Sequence, residues 1–419
     1  MQEDAVRQLL SSRNLIVNWG TGVGKSRVAI VAADLLERNG LDRILLVVTE
    51  TAHKTNWKNE FNEVLGAERA STLLPKIRIE CYASLFKYEG TAWDLIIFDE
   101  AHHLRSELRT DHLAQIFSSY VLCLSATISE KHDGELLLQT LEESFGHFES
   151  ISFTMQQAID SNILGKPDIY VHVFSLDNTV RNRSFVYERG FPKARKVLEC
   201  SFDQLDYMLS SGPSALKLTV HCTEKEGYDF ITSMIDKCKS DYMAARDEAN
   251  LGNSNEETKD TLFLKNRWLL WGSKRKNFLG AAKSEKADEL LSSLGEKKFI
   301  CFCSDVEQGK KLGGDNVIHS KRKGNAAVIE AFNEDRIRSI YAVGMIQEGQ
   351  NLKGIKAGVI VQLGGKERVF IQKFGRVMRS SVPEQHLMVF NKTKDIDYLK
   401  TALDGIDKKY IHYVRKDLA

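Results

Sequence analysis

Residues 18–30 read NWGTGVGKSRVAI, and the apolar run Leu15-Ile16-Val17 leads into them. Strand, glycine-rich turn, Lys-Ser and helix is the order of a phosphate-binding loop. Such a loop points its backbone N–H groups at phosphate oxygens, and the helix that follows adds its positive end. Gly22 and Gly24 supply the backbone freedom, and Thr21 and Val23 complete the loop. Lys25 is placed to reach the β- and γ-phosphates of a nucleotide, and Ser26 to hold a magnesium ion. Trp19 departs from the motif, which wants Gly or Ala there. The alternative is a glycine-rich turn that happens to precede Lys-Ser.

A chain of 419 residues exceeds one ordinary core, so two or three domains are expected. The net charge of +1 means that any polyanionic partner must be met by local patches. No apolar run reaches membrane-spanning length, and the N-terminus lacks a signal-peptide pattern. The seven cysteines are scattered, without a CxxC pair to suggest zinc, and their odd number argues against a full disulfide framework. Cys301 and Cys303 alternate in an apolar run and read as strand packing. A reducing, cytoplasmic setting is expected, in a bacterium or a phage-infected host.

Strand-length apolar runs at 15–17, 44–48, 95–98 and 121–124 alternate with helical patterns, which points to βαβ units and a parallel sheet. A second set lies near 299–303, 338–343, 358–363 and 387–390. The fold class expected is α/β, with two parallel-sheet domains in tandem. The stretch between reads as mainly helical and polar, and residues 250–260 within it as a solvated loop.

The run Asp94-Leu95-Ile96-Ile97-Phe98-Asp99-Glu100-Ala101-His102 carries the second strong signal. A buried strand delivers two carboxylates to its C-terminal end, where α/β sheets place ligands. Asp99 suits magnesium, commonly through water, and Glu100 suits polarising the water that attacks a phosphate. The alternative is an acidic helix start capping a turn. Arg376 and Arg379 lie three apart and share one helix face. Their planar guanidinium groups suit a phosphoryl group that gains charge in a transition state.

Together these elements resemble the superfamily 2 helicases and translocases, whose lobes are RecA-like. The GKS loop and DEAH are followed in family order by Ser125-Ala126-Thr127, Phe299–Ser304, His319, the EGQNL stretch 348–352, and Gln372-Lys373-Phe374-Gly375-Arg376-Val377-Met378-Arg379. Lys373 stands where the family has Arg. The resemblance implies ATP and Mg2+ as cofactors, with Gln2 reading the adenine edge and Gly349 at the nucleotide. It implies coupling through His102, Ser125, Thr127 and Gln372. It implies nucleic-acid contacts at Thr49, Trp57, Ser84, Ser304 and Gln347. Within the superfamily, the chain is similar to UvsW-like phage helicases and type III restriction motor subunits. Asn56–Phe61 and DEAHH are also similar to Swi/Snf-type translocases, which move on duplex DNA without separating it; there SAT is followed by proline, where this chain has Ile128.

The implied division is 1–165 for the first RecA-like domain, 166–176 with 285–419 for the second, and 177–284 for a mainly helical insertion in it. The implied partner is nucleic acid, DNA rather than RNA, with no membrane; a monomer is compatible with this. Residues 265–286 hold seven basic residues against one acid, interleaved with Trp268, Trp271 and Phe278. Lys274, Arg275 and Lys276 are read as contacts to a phosphate backbone. The tryptophans are read as the buried stripe of a helix, with stacking on unpaired bases or wedging of a fork as the alternative. Two other functions stay open: a non-translocating ATPase switch, and an inactive scaffold with a relict motor.

Overall fold

The computed structural model describes the chain apart from residues 21, 106–111, 126–131, 191–196, 252–257, 345–351, 366, 379, 381–382 and 416–419. Two parallel sheets organise it. The first comprises β1 (Asn14–Trp19), β2 (Ile44–Val48), β3 (Ile77–Cys81), β4 (Ala92–Asp99), β5 (Phe117–Ser125) and β6 (Glu149–Phe153). Their spatial order is β3-β2-β4-β5-β1-β6. β2 is buried along its whole length, as an apolar strand covered on both faces should be. The helix Lys25–Arg38 buries Val28, Ala29, Ala32, Ala33 and Leu36 against this sheet, and Gln2–Ser12 packs on that helix through Ala5, Val6 and Leu9.

The second sheet has seven strands. β7 (Asp168–Phe174) follows the first sheet in the chain. β8 (Arg183–Arg189), β9 (Leu198–Ser201) and β10 (Leu216–Cys222) form a separate small sheet. β11 (Phe299–Phe302), β12 (Val317–His319), β13 (Ser339–Val343), β14 (Ala357–Ile360), β15 (Glu384–Phe390) and β16 (Ile411–Arg415) complete the second large sheet. Its order is β12-β13-β11-β14-β15-β7-β16, with every pairing parallel. These are two RecA-like lobes with mainly helical segments between them.

The intervening segment also holds the three-stranded sheet β8-β10-β9, with one antiparallel and one parallel pairing. Its long helices, Glu224–Leu251 and Lys259–Ala282, pack along each other. Trp271 is buried against Tyr187 and Phe230, and Trp268 stacks on Tyr242 at 5.9 Å. The tryptophans are thus packing groups, as the helical stripe predicts. All seven cysteines are free, with Cys301 and Cys303 buried. Among the described residues no helix is long and apolar enough to cross a membrane.

Candidate active site

Parallel pairing aligns the carboxyl ends of β4, β5 and β1. Asp99 pairs with Leu124, and Asn18 with Ser125, so the glycine loop, the two carboxylates and Ser125 share one edge of the sheet. Gly22 and Gly24 have φ of +89° and +97°, values that favour glycine. A Cβ on Gly24 would also lie 2.3 Å from Gln2 Nε2. Gln2 thus sits over the loop, 3.5 Å from the Val23 carbonyl. Lys25 Nζ donates to the carbonyls of Trp19 at 3.0 Å and Gly20 at 3.5 Å, so the ammonium lies within the arc of the loop. Trp19 leaves this arc undisturbed because its ring turns into the core, edge-on to Phe153 at 6.4 Å.

At the end of β4 the backbone turns sharply. Glu100 has φ +51°, uncommon for a residue with a side chain and costly to hold without surrounding support. Its Oε2 is buried with no hydrogen-bond partner among the described residues, 3.3 Å from His102 Nδ1. His102 Nδ1 is also 3.3 Å from Ser125 Oγ. Glu100, His102 and Ser125 therefore form one buried polar chain across β4 and β5.

The second lobe reaches this edge through the helix Glu367–Val377. A Cβ on Gly22 would lie 3.9 Å from the Gly375 carbonyl oxygen and 3.3 Å from Leu164 Cδ2. Arg376, next to Gly375, is buried at 7% exposure. The glycine loop and the arginine-bearing helix therefore meet at one seam.

Residues 1–130 match the family described as type III restriction enzyme, res subunit. A DNA 3'-5' translocase, XPB2, of Sulfurisphaera tokodaii is 24% identical over 95% of this chain and 82% of its own length. A Sulfolobus islandicus filamentous virus protein with the provisional name helicase 22 is 22% identical over 98% of this chain and 68% of its own. Over most of its length the chain is therefore similar to helicase and translocase ATPases of superfamily 2. Its fold is shared with Saccharomyces cerevisiae Dbp5 in complex with Gle1 and IP6, at a TM-score of 0.54 and 12% identity, over 99% of this chain and 88% of that one.

The other residues expected in this helicase-like site fall into three groups. Thr21, Thr127, Gln347, Gly349 and Arg379 lie outside the described residues, as does the side chain of Gln372. Ser26 is half-exposed in the first turn of the helix Lys25–Arg38, and Thr49 and Ser84 are half-exposed just past β2 and β3, with Thr49 Oγ1 2.7 Å from His53 Nδ1. Ser304 follows β11 and hydrogen-bonds Asp305 and Gln308.

Two expectations need correction. Trp57 is not on an open track: it is 4% exposed and donates its indole N–H to Asp99 Oδ2 at 2.8 Å. The helix Thr51–Leu65 turns His53, Trp57 and Phe61 inward at i, i+4 spacing, a stripe visible in the sequence. Lys274, Arg275 and Lys276 do not form one patch, because successive helical residues point about 100° apart. Lys274 Nζ donates to the Val186 carbonyl at 2.8 Å and covers the Trp271 ring. Its burial holds the ammonium below the usual lysine pKa. Lys276 reaches instead toward Gly364.

Sequence reasoning also passed over Tyr82, whose hydroxyl donates to the Asp99 carbonyl at 2.8 Å. Among the described residues no group of three His, Cys, Asp or Glu side chains is placed to hold a metal. Magnesium commonly takes one or two carboxylates, with water and phosphate oxygens completing its shell. Ser26 and Asp99 are a donor set of that kind.

Proposed function

We propose that this chain is an ATP- and Mg2+-dependent motor that moves along nucleic acid, DNA rather than RNA, by opening and closing its two lobes. The observation that carries the reading is the seam: the glycine loop, the Asp99-Glu100 corner and the helix bearing Arg376 come together across two sheets. Gly22, Gly24, Lys25 and Ser26 bind the triphosphate, with Thr21 and Val23 in the loop and Gln2 at the base. Asp99 and Ser26 would hold magnesium, which when bound would neutralise phosphate charge. Glu100, held beside His102 at the end of β4, orients the nucleophile. Arg376, with Arg379, stabilises charge on the phosphoryl group in flight. His102 and Ser125 pass the state of the site from β4 to β5, with Thr127 and Gln372 beyond them. Closure completes the site only when the lobes meet, so hydrolysis is tied to domain motion.

The match to a restriction-enzyme subunit and to a DNA translocase supports DNA as the track; the UvsW-like or type III restriction branch is part of the same proposal. Thr49, Ser84, Ser304, Gln347, Arg275 and Lys276 are its contacts in this reading. The boundaries 1–165, 166–176 with 285–419, and 177–284 form part of the same proposal, as does a cytoplasmic setting. Asn56–Phe61 favours a second reading, translocation on duplex without strand separation. The test is ATPase activity titrated with single-stranded DNA, duplex, forked DNA and RNA. Stimulation by single-stranded or forked DNA is expected. Stimulation by duplex alone supports the second reading. Activity indifferent to every nucleic acid would replace the motor with a switch.

A further inference from the structure

Asp99 is gripped at both ends by aromatic side chains from different elements. The Trp57 indole N–H, from the helix after β2, occupies Oδ2 of its carboxylate at 2.8 Å. The Tyr82 hydroxyl, from the segment Tyr82–Tyr88 after β3, takes its carbonyl at 2.8 Å. Both rings are buried, at 4% and 2% exposure, and Tyr82 also stacks on Phe98 at 6.3 Å. The Tyr82 bond falls one residue before the turn at Glu100, where φ is +51°.

Each of these segments also carries a half-exposed hydroxyl. Thr49 stands just ahead of Trp57's helix and is tied to it by His53 at 2.7 Å. Ser84 shares a single 3-10 segment with Tyr82. The same two short stretches therefore carry a half-exposed hydroxyl residue and an aromatic anchor to Asp99. We propose that Trp57 and Tyr82 are positioning residues that aim Asp99 at the magnesium–phosphate group and report to it when a nucleic-acid strand engages Thr49 and Ser84. This rests on the motor reading above. The indole bond holds the Asp99 carboxylate in one orientation, in which it would be presented to a magnesium ion. A charge-assisted hydrogen bond of this kind is among the stronger ones available to a side chain. The tyrosine bond transmits displacement of its segment to the Asp99–Glu100 peptide.

The experiment uses the full chain with Trp57→Phe and Tyr82→Phe, checked for folding by thermal melting. Equilibrium affinity for ADP is measured with Mg2+ and again in EDTA, alongside the ratio of ATPase rates with and without DNA. Trp57→Phe should weaken Mg2+·ADP about tenfold and leave metal-free ADP within about twofold. Tyr82→Phe, which removes one oxygen and keeps the ring, should keep Mg2+·ADP within about twofold and cut DNA stimulation about threefold or more. Equal weakening of both ADP forms in Trp57→Phe would make the tryptophan merely structural and overturn the inference. So would an unchanged Mg2+·ADP affinity and unchanged stimulation in the two variants. In both cases wild-type Mg2+·ADP binding leaves the motor reading standing. A wild-type chain that fails to bind Mg2+·ADP at all would overturn the motor reading itself.

Discussion

Two buried polar clusters, one in each lobe, are built on opposite principles. In the second lobe Lys283, Asp395 and Gln362 close a ring. Lys283 Nζ is 2.6 Å from Asp395 Oδ2 and 2.8 Å from Gln362 Oε1, and Gln362 Nε2 is 2.7 Å from Asp395 Oδ1. The Phe390 N–H donates to the same carboxylate at 3.0 Å. Lys283 and Asp395 are fully buried, and the ring ties the end of the helix Lys259–Ala282 to the sheet. In the first lobe the Glu100 corner keeps a positive φ and a buried oxygen without a hydrogen bond among the described residues. A satisfied network fixes a position, whereas a strained and incompletely satisfied one marks a place where a ligand completes the structure.

The sharpest way to break this contrast is at Glu100. Glu100→Gln keeps the shape of the corner and removes the carboxylate. ATPase activity should fall by about 10²–10⁴-fold while nucleotide binding survives, measured by steady-state turnover beside ADP affinity. Turnover at the wild-type rate would take Glu100 out of the chemistry. At the closed ring the effect belongs to stability. Asp395→Ala strands a buried ammonium and should cost about 3–5 kcal/mol in denaturant unfolding. Replacing Lys283 and Asp395 together by Met and Leu should cost much less, because no uncompensated charge remains. Equal losses in the single and double variants would show that packing, not charge pairing, holds the knot.

A smaller effect is expected at the loop. Gly24→Ala places a Cβ at φ +97° beside Gln2, which should cost about 1–2 kcal/mol of stability. ADP affinity should fall with it, because the strained loop aims its N–H groups less well. The smallest effect is a pH dependence. Burial, with the like charge of Lys276 second, pushes Lys373 down to about 8. Below pH 8 the folded state holds a poorly solvated charge. From pH 8 to about 10.4 the unfolded chain binds more protons there, so this site's contribution to stability rises with pH. Lys373→Met should therefore raise the melting temperature at pH 7 by about 2–4 °C, and the gain should fade above pH 8.

The parts of this architecture that sequence reading reached are the parts buried on two faces. β2 and the core of β4 are unbroken apolar runs, and β11, β13, β14 and β15 fall at or near the second set of runs. The glycine loop was equally legible, because Gly22 and Gly24 stand where only positive φ serves. Strands with alternating or polar patterns escaped notice. β3 reads IRIEC and β6 reads ESISF, each with outward polar residues. β8 and β10, RSFVYER and LKLTVHC, bury a single face in a segment dominated by long helices. At the site, Trp57 was read by motif position when its spacing to His53 and Phe61 already marked it as inward-facing. Tyr82 offered only an aromatic just past a short strand, a signal too common to single out.

The placement of β7 has a consequence for how the chain is made. This strand is completed at residue 174, yet it lies between β15 and β16, at 384–390 and 411–415. On a ribosome the first sheet has all its strands once residue 153 has emerged, and can condense at once. β7 must then wait, with both hydrogen-bonding edges unsatisfied, while more than two hundred residues are synthesised. Such distant pairing is slow to form and exposes a sticky edge meanwhile.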